Sequence, residues 1–350
     1  MFKKIFVVLL VLLQVFTVIG CRSQGSDETR IFTDSAGRKV EIPTNIERIA
    51  VSGQMAQMFI FPIAADKLVG LGGPWSEDAK LFIDKKYLDL PVFGQFYGSA
   101  DLNLEEVIAA DPQIIIDVGE KKDSIVTDMD SIAEQTGIPT VFIEANFDNL
   151  ANTYTMLGDL LDKKQEAKEL ADYCQKTFDK TKTVLDQIGE EGKVKILYLT
   201  GDKGLNVIAK GSFHSQTINF IAKNAADLEN PSSKGSGNET SMEQIMLWDP
   251  DYIIFSPDSV YEEVGSSNVW AQLKAIANNK YYEAPGVPYN WMGFPPSINM
   301  IIGQIWMCET FYPDRFDYDL KSETVNFYKL FYHCDLTDEM YDKLTKNAIR

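Results

Sequence analysis

Residues 103–116, "NLEEVIAADPQIII", align without a gap on residues 241–254, "SMEQIMLWDPDYII", with Glu105 over Glu243, Asp111 over Asp249 and Pro112 over Pro250. Each copy reads as an N-capped helix, a tight Asp-Pro turn and a buried strand, and a chain carrying that unit twice is built of two like lobes. Asn103 with Glu106, and Ser241 with Gln244, fit the capping pattern. Capping does not account for Glu105 and Glu243. Either the helix dipole favours a carboxylate in each first turn, or the pair are matched surface anchors, one per lobe.

Around these copies short β-rich runs alternate with helical patterns, which predicts mostly parallel sheets. In the first half "TDSAGRKVEIP" reads as a hairpin around Ala36-Gly37. "ERIAVS", "KLVGLGG", "LPVFG", "PQIIIDVG" and "PTVFIE" read as strands, separated by helices such as "GQMAQMFIFPIAA" and "SIVTDMDSIAEQTG". The second half repeats the style with "KVKILYLTG", "LNVIAKG", "DYIIFSP" and "YYEAP", and closes in helices from Pro296 to Lys346. Between the halves Leu150, Tyr154, Leu157, Leu161, Ala167, Leu170, Cys174, Phe178, Leu185 and Ile188 step mostly by three and four, with no proline. This spacing predicts one helix over 149–190, about 60 Å long and acting as a strut, with a coiled coil as the alternative. The expected organisation is an N-terminal α/β lobe over 31–148, the connecting helix over 149–190 and a C-terminal lobe over 191–350.

The first twenty residues have the layout of a secretory signal. Lys3 and Lys4 precede an apolar run that is shorter than the roughly 20 residues of a bilayer-crossing helix and ends at Cys21. Val18-Ile19-Gly20-Cys21 resembles a bacterial lipobox, in which the cysteine is lipidated, and the polar stretch over 21–30 reads as a tether; an ordinary signal peptide is the alternative. The net charge of −18 argues against nucleic acid as a partner. Cys174, Cys308 and Cys334 show no metal-type spacing, and Cys308 and Cys334 are either a disulfide pair or buried free thiols. His214 and His333 are the chain's two histidines, too few for a zinc or manganese site built on imidazoles. No phosphate-binding loop, dinucleotide fingerprint, nucleophile elbow or zinc-protease motif is present, which leaves a surface-anchored enzyme as a distant alternative.

Taken together, the lipobox, the "GRKVEIP" and "ERIAV" opening, the two lobes with one bridging helix and the paired Glu-containing segments resemble the substrate-binding lipoproteins of bacterial ABC importers for iron siderophores, haem and cobalamin. The resemblance covers roughly Ile31 to Lys346. It implies two Rossmann-like lobes joined by a single long α-helix, the class III periplasmic binding protein fold. It also implies a monomer, lipid-anchored outside the cytoplasm, whose partners are an ABC permease dimer with its ATPase. In that family the equivalents of Glu105 and Glu243 grip arginines on the two permease subunits, so these two residues are the expected docking pair. No cofactor of the protein's own is implied, since any metal would arrive chelated within the ligand.

The ligand is expected between the lobes, on loops that follow the strands. There "YNWMGFPPS" supplies Tyr289, Trp291 and Met292, either as a surface for a large, partly apolar ligand or as a packed seal of the second lobe. The other candidates are Gln54, Trp75, Phe96, Tyr97, Lys121, Lys203, Phe213 and His214, with Phe294 standing where relatives often carry a basic residue. Aromatics outnumber cations in this set, which favours a metal chelate, with iron siderophore first and haem or corrinoid next. A molybdate or tungstate oxyanion, which wants converging donors, is the alternative.

Overall fold

A computed structural model of the chain describes residues 28–97, 101–257 and 259–349; the signal, Cys21 and most of the tether lie outside the described residues. Antiparallel β1 (Thr29–Thr33) and β2 (Lys39–Pro43) form the expected hairpin. A parallel sheet follows in the order β3 (Ile49–Val51), β4 (Ile114–Gly119) and β5 (Thr140–Glu144), flanked by α1 (Gln54–Ala64), α2 (Leu104–Ala109) and α3 (Ile125–Thr136). The predicted strands "KLVGLGG" and "LPVFG" contribute only single bridges, Leu68 to Ile49 and Val92 to Leu71. Gly70, Gly72 and Gly73 leave too few side chains there to hold a strand.

In the second half the strands are β6 (Lys195–Thr200), β7 (Asn206–Val207), β8 (Lys223–Asn224), β9 (Asn238–Glu239), β10 (Tyr252–Phe255) and β11 (Tyr281–Glu283). They are arranged β11-β10-β6-β7-β9, with β8 also pairing with β6. β10 lies parallel to β6 and β11, whereas β7 runs antiparallel. The helices after the bridge are α6 (Gln216–Ile221), α7 (Met242–Trp248), the single turns α8 (Tyr261–Val264) and α9 (Lys274–Ala277), and the terminal α10 (Asn299–Phe311), α11 (Leu320–Tyr332) and α12 (Asp338–Thr345).

The repeat is realised in detail. Asn103 and Ser241 accept the N–H of Glu106 and Gln244 at 3.2 Å each, and Asp111 and Asp249 both take the left-handed conformation, with φ of 50° and 40°. A proline follows each and stops the helix. Strand register carries the equivalence beyond the aligned residues, because Ile49 pairs with Ile114 as Ile196 pairs with Tyr252. Arg48, just before Ile49, reaches the helix-end carbonyl of Ala110, and Lys195, just before Ile196, reaches that of Trp248. A cation there complements the negative end of the helix dipole. The backbone N–H groups of Arg48 and Lys195 are held in turn by the side chains of Gln113 and Asp251. Under each repeat helix one residue is fully buried, Val107 or Ile245.

The bridge departs from the expected single helix. α4 (Leu150–Leu161) ends at Asp162, which is left-handed at φ 53°, and α5 (Lys164–Gly192) returns antiparallel, so that Leu150 and Ala151 lie beside Cys174 and Phe178. At the corner Gly158 is required, since a Cβ there would meet that of Ala167 at 2.4 Å. Only α5, 29 residues and about 43 Å long, crosses to the second lobe, with non-helical backbone at Gly189 near its end. The missed signal is the six-residue step from Leu161 to Ala167.

One continuous apolar core runs from the first sheet through α4 and α5 into the terminal helices, taking in Ile116, Val141, Tyr154, Cys174, Ile305 and Phe331. α11 is the main tie behind the cleft. Phe331 contacts Tyr154 and Tyr173, Tyr328 contacts Phe82, and Tyr173 donates to Glu323 at 3.1 Å. Cys174, Cys308 and Cys334 are free thiols, so the pairing alternative for the last two falls away.

Candidate functional site

Segments that follow β3 in the first sheet and β11 in the second meet at Tyr289. Its hydroxyl accepts from Gln57 Nε2 at 3.2 Å, and its ring lies 5.4 Å from Trp75. Gln57 sits in the first turn of α1 and also accepts the N–H groups of Gly72 and Gly73 at 2.9 and 3.2 Å, so one buried amide ties the second lobe to the first. Gln54 lies over Gly73, at the same end of α1. Burial pushes the Tyr289 hydroxyl well above its usual range and keeps it neutral. Gln54, Trp75 and Tyr289 are therefore neighbours. Trp75 is 8% exposed, and its indole N–H has no protein partner among the described residues.

A second group gathers on the C-terminal lobe. His214 Nδ1 lies 3.2 Å from the Gly293 carbonyl, and its ring is 5.9 Å from Phe294, which is 53% exposed; Phe213 stands edge-on to it. Burial holds the His214 imidazole below its usual range, so it is neutral at physiological pH. On the N-terminal lobe Tyr97 donates to Asp128, packs against Phe96 and carries Lys122 over its ring at 3.6 Å. Lys121 is exposed and donates to the Ser35 carbonyl at 3.4 Å, and Lys203 is exposed as well.

Trp291 and Met292 require a correction. Each is 1% exposed, Trp291 Nε1 donates to Tyr328 at 3.3 Å, and the backbone of Trp291 presses on α10 where a Cβ at Gly303 would lie 2.0 Å from its carbonyl. The segment after β11 is thus a packed seal at Trp291 and Met292 and most open at Phe294. Spacing could not separate the two cases, because both place an aromatic after a strand.

Sequence reasoning passed over Asp117, which interrupts the apolar β4 at its cleft end. It is 6% exposed and accepts from Ser52 Oγ. Burial raises its carboxyl to about 6, against the opposing effects of Ser52 and Lys122. The signal was available as the one charged residue in "IIIDVG". Glu105 and Glu243 are exposed at the second position of α2 and α7, outside this group. Among the described residues no cluster of three or more His, Cys, Asp or Glu is placed to hold a metal ion. A groove of about 510 Å³ along α11, between Lys321 and Leu336, includes none of the predicted residues.

Comparison with known proteins agrees with this architecture. The chain is 24% identical to the molybdate-binding protein MolA of Haemophilus influenzae over 87% of its own length and 91% of the relative's. It is 23% identical to the Fe(3+)-citrate-binding protein YfmC of Bacillus subtilis, over 81% and 89%. A solved ABC transporter solute-binding protein from Sulfurospirillum deleyianum superposes with a TM-score of 0.83 at 30% identity, covering 91% of this chain and 99% of that one. The sequence profile of the periplasmic binding proteins matches residues 83–288, and the chain belongs to that family of transport binding proteins, which are not enzymes.

Proposed function

We propose that this protein is the lipid-anchored, extracytoplasmic binding component of an ABC importer. In this reading it takes up a metal chelate between its lobes and presents it to a two-subunit permease through Glu105 and Glu243. The observation that carries the reading is the structural equivalence of the two glutamates. Each is exposed, in the first turn of a helix held by the same cap, left-handed Asp and cationic helix-end contact. A partner with two equivalent surfaces is what such duplication fits. Cys21 as the lipid anchor rests on the lipobox alone.

For the ligand, the exposed ring of Phe294 beside neutral His214, with Tyr97 and Phe96 on the other lobe, supports a metal chelate of the siderophore type, with haem or corrinoid next. A molybdate-type oxyanion is the second reading. It gains from the burial of Trp291 and Met292, which removes apolar surface from the cleft, and from the relative named as molybdate-binding. Two measurements test these readings. Calorimetric titration with a ferric siderophore and with molybdate should give saturable heat with the first only; saturation by molybdate alone would reverse the order. In proteoliposomes holding the transporter, the double reversal Glu105→Arg, Glu243→Arg should abolish uptake while ligand affinity stays within about twofold, because like charges now face the arginines. Undiminished uptake would end the docking role.

A further inference from the structure

We infer that each docking carboxylate is one half of a two-part contact whose other half is an exposed aliphatic side chain on the next helical turn, Ile108 beside Glu105 and Leu247 beside Glu243. This rests on the docking reading above and adds to it the chemistry of the partner surface. Ile108 is 45% exposed and Leu247 is 79% exposed, on helices whose inward faces are already filled by Val107 and Ile245. Residues three and four apart on a helix share a face, so Glu105 with Ile108, and Glu243 with Leu247, each present a charge and an apolar group side by side. Leu247 is left mostly in water and Ile108 almost half so, and that exposed aliphatic surface gains nothing for the fold on helices that long-range contacts hold so firmly. Lys195 fixes the end of α7 at the Trp248 carbonyl, and Arg48 does the same for α2 at Ala110.

The surface on the permease that fits is a basic residue next to a shallow apolar socket, present once per subunit. Charge complementarity identifies this partner, since exposed Glu106 accompanies Glu105 on the first lobe, and exposed Glu239 and Asp249 accompany Glu243 on the second. Burying the aliphatic group also excludes water from the ion pair and so strengthens it. The two halves are unequal. Leu247 is the more exposed and stands one turn from its acid at a spacing of four, whereas Ile108 stands at three, so the C-terminal lobe should carry the larger apolar share.

The test uses the ligand-loaded full chain and the permease–ATPase complex of its transporter in nanodiscs, with docking read by biolayer interferometry. Leu247→Ser should weaken docking by about tenfold and Ile108→Ser by about threefold, within the range of a truncated interface anchor. Ligand affinity and thermal midpoint should stay unchanged, as expected for surface positions. If Leu247→Ser docks like the parent while Glu243→Arg does not, the apolar half is overturned and the docking reading stands. If neither change alters docking, the docking reading itself fails.

Discussion

The two lobes use one backbone plan with different chemistry at the cleft. Register makes Ser52 equivalent to Leu199 and Asp117 equivalent to Phe255. In the first lobe a hydroxyl meets a carboxylate at the carboxyl end of the central strand. In the second, Leu199 and Phe255 are fully buried, with Phe255 packed against Trp270 at 5.4 Å and near Tyr261 and Tyr281. Backbone hydrogen bonds and capping duplicate the frame, and they leave the side chains at the strand ends free to diverge. Of these equivalent positions, the polar pair belongs to the N-terminal lobe and the apolar pair to the C-terminal one.

Exchanging the two characters gives the largest expected effect. Phe255→Asp removes a packed ring and buries a carboxylate among aromatic side chains, so it should lose more than about 4 kcal/mol and fail to give a cooperative urea transition. A soluble variant with a near-normal midpoint would break the comparison, because the second lobe would then tolerate a polar floor.

Asp117→Asn asks the opposite question. A carboxyl raised to about 6 in the folded state takes up its proton more readily than in the unfolded chain, so its contribution is full at low pH and is lost as pH rises through that value. At about 1.36 kcal/mol per pKa unit the loss is on the order of 3 kcal/mol. The amide introduced by this substitution would still accept from Ser52 and would not ionise. The variant should therefore melt above the parent at pH 7 and converge with it near pH 4. A gap that does not change with pH would mean that the carboxyl is solvated after all.

The smallest effect belongs to the part that the lobes share. Glu105→Ala and Glu243→Ala should each leave stability almost unchanged, as expected of a helix-dipole contact at an exposed, solvent-screened site. Chemical denaturation should give nearly equal values for the two lobes. A large loss at either would show that its carboxylate holds the fold and would reopen its docking role.

Sequence alone determined whatever depends on local chemistry. The caps at Asn103 and Ser241, the Asp-Pro stops, the parallel strand–helix alternation and the likeness of the two lobes follow from residue type at fixed spacing, and each formed as expected. What it left open were matters of which surface meets which. The chain turns back at Asp162 because Gly158 lets Ala167 approach, a contact between two helices that the period of either one does not encode. Trp291 is sealed under Tyr328 while Phe294, three residues on, remains open, and only the position of α11 decides between them. Asp117 holds its proton to higher pH because the fold buries it, beside Ser52 at the end of a strand distant in sequence. Periodicity reports that a side chain is turned inward along its own element, and tertiary packing supplies the neighbour that makes it core, tie or site.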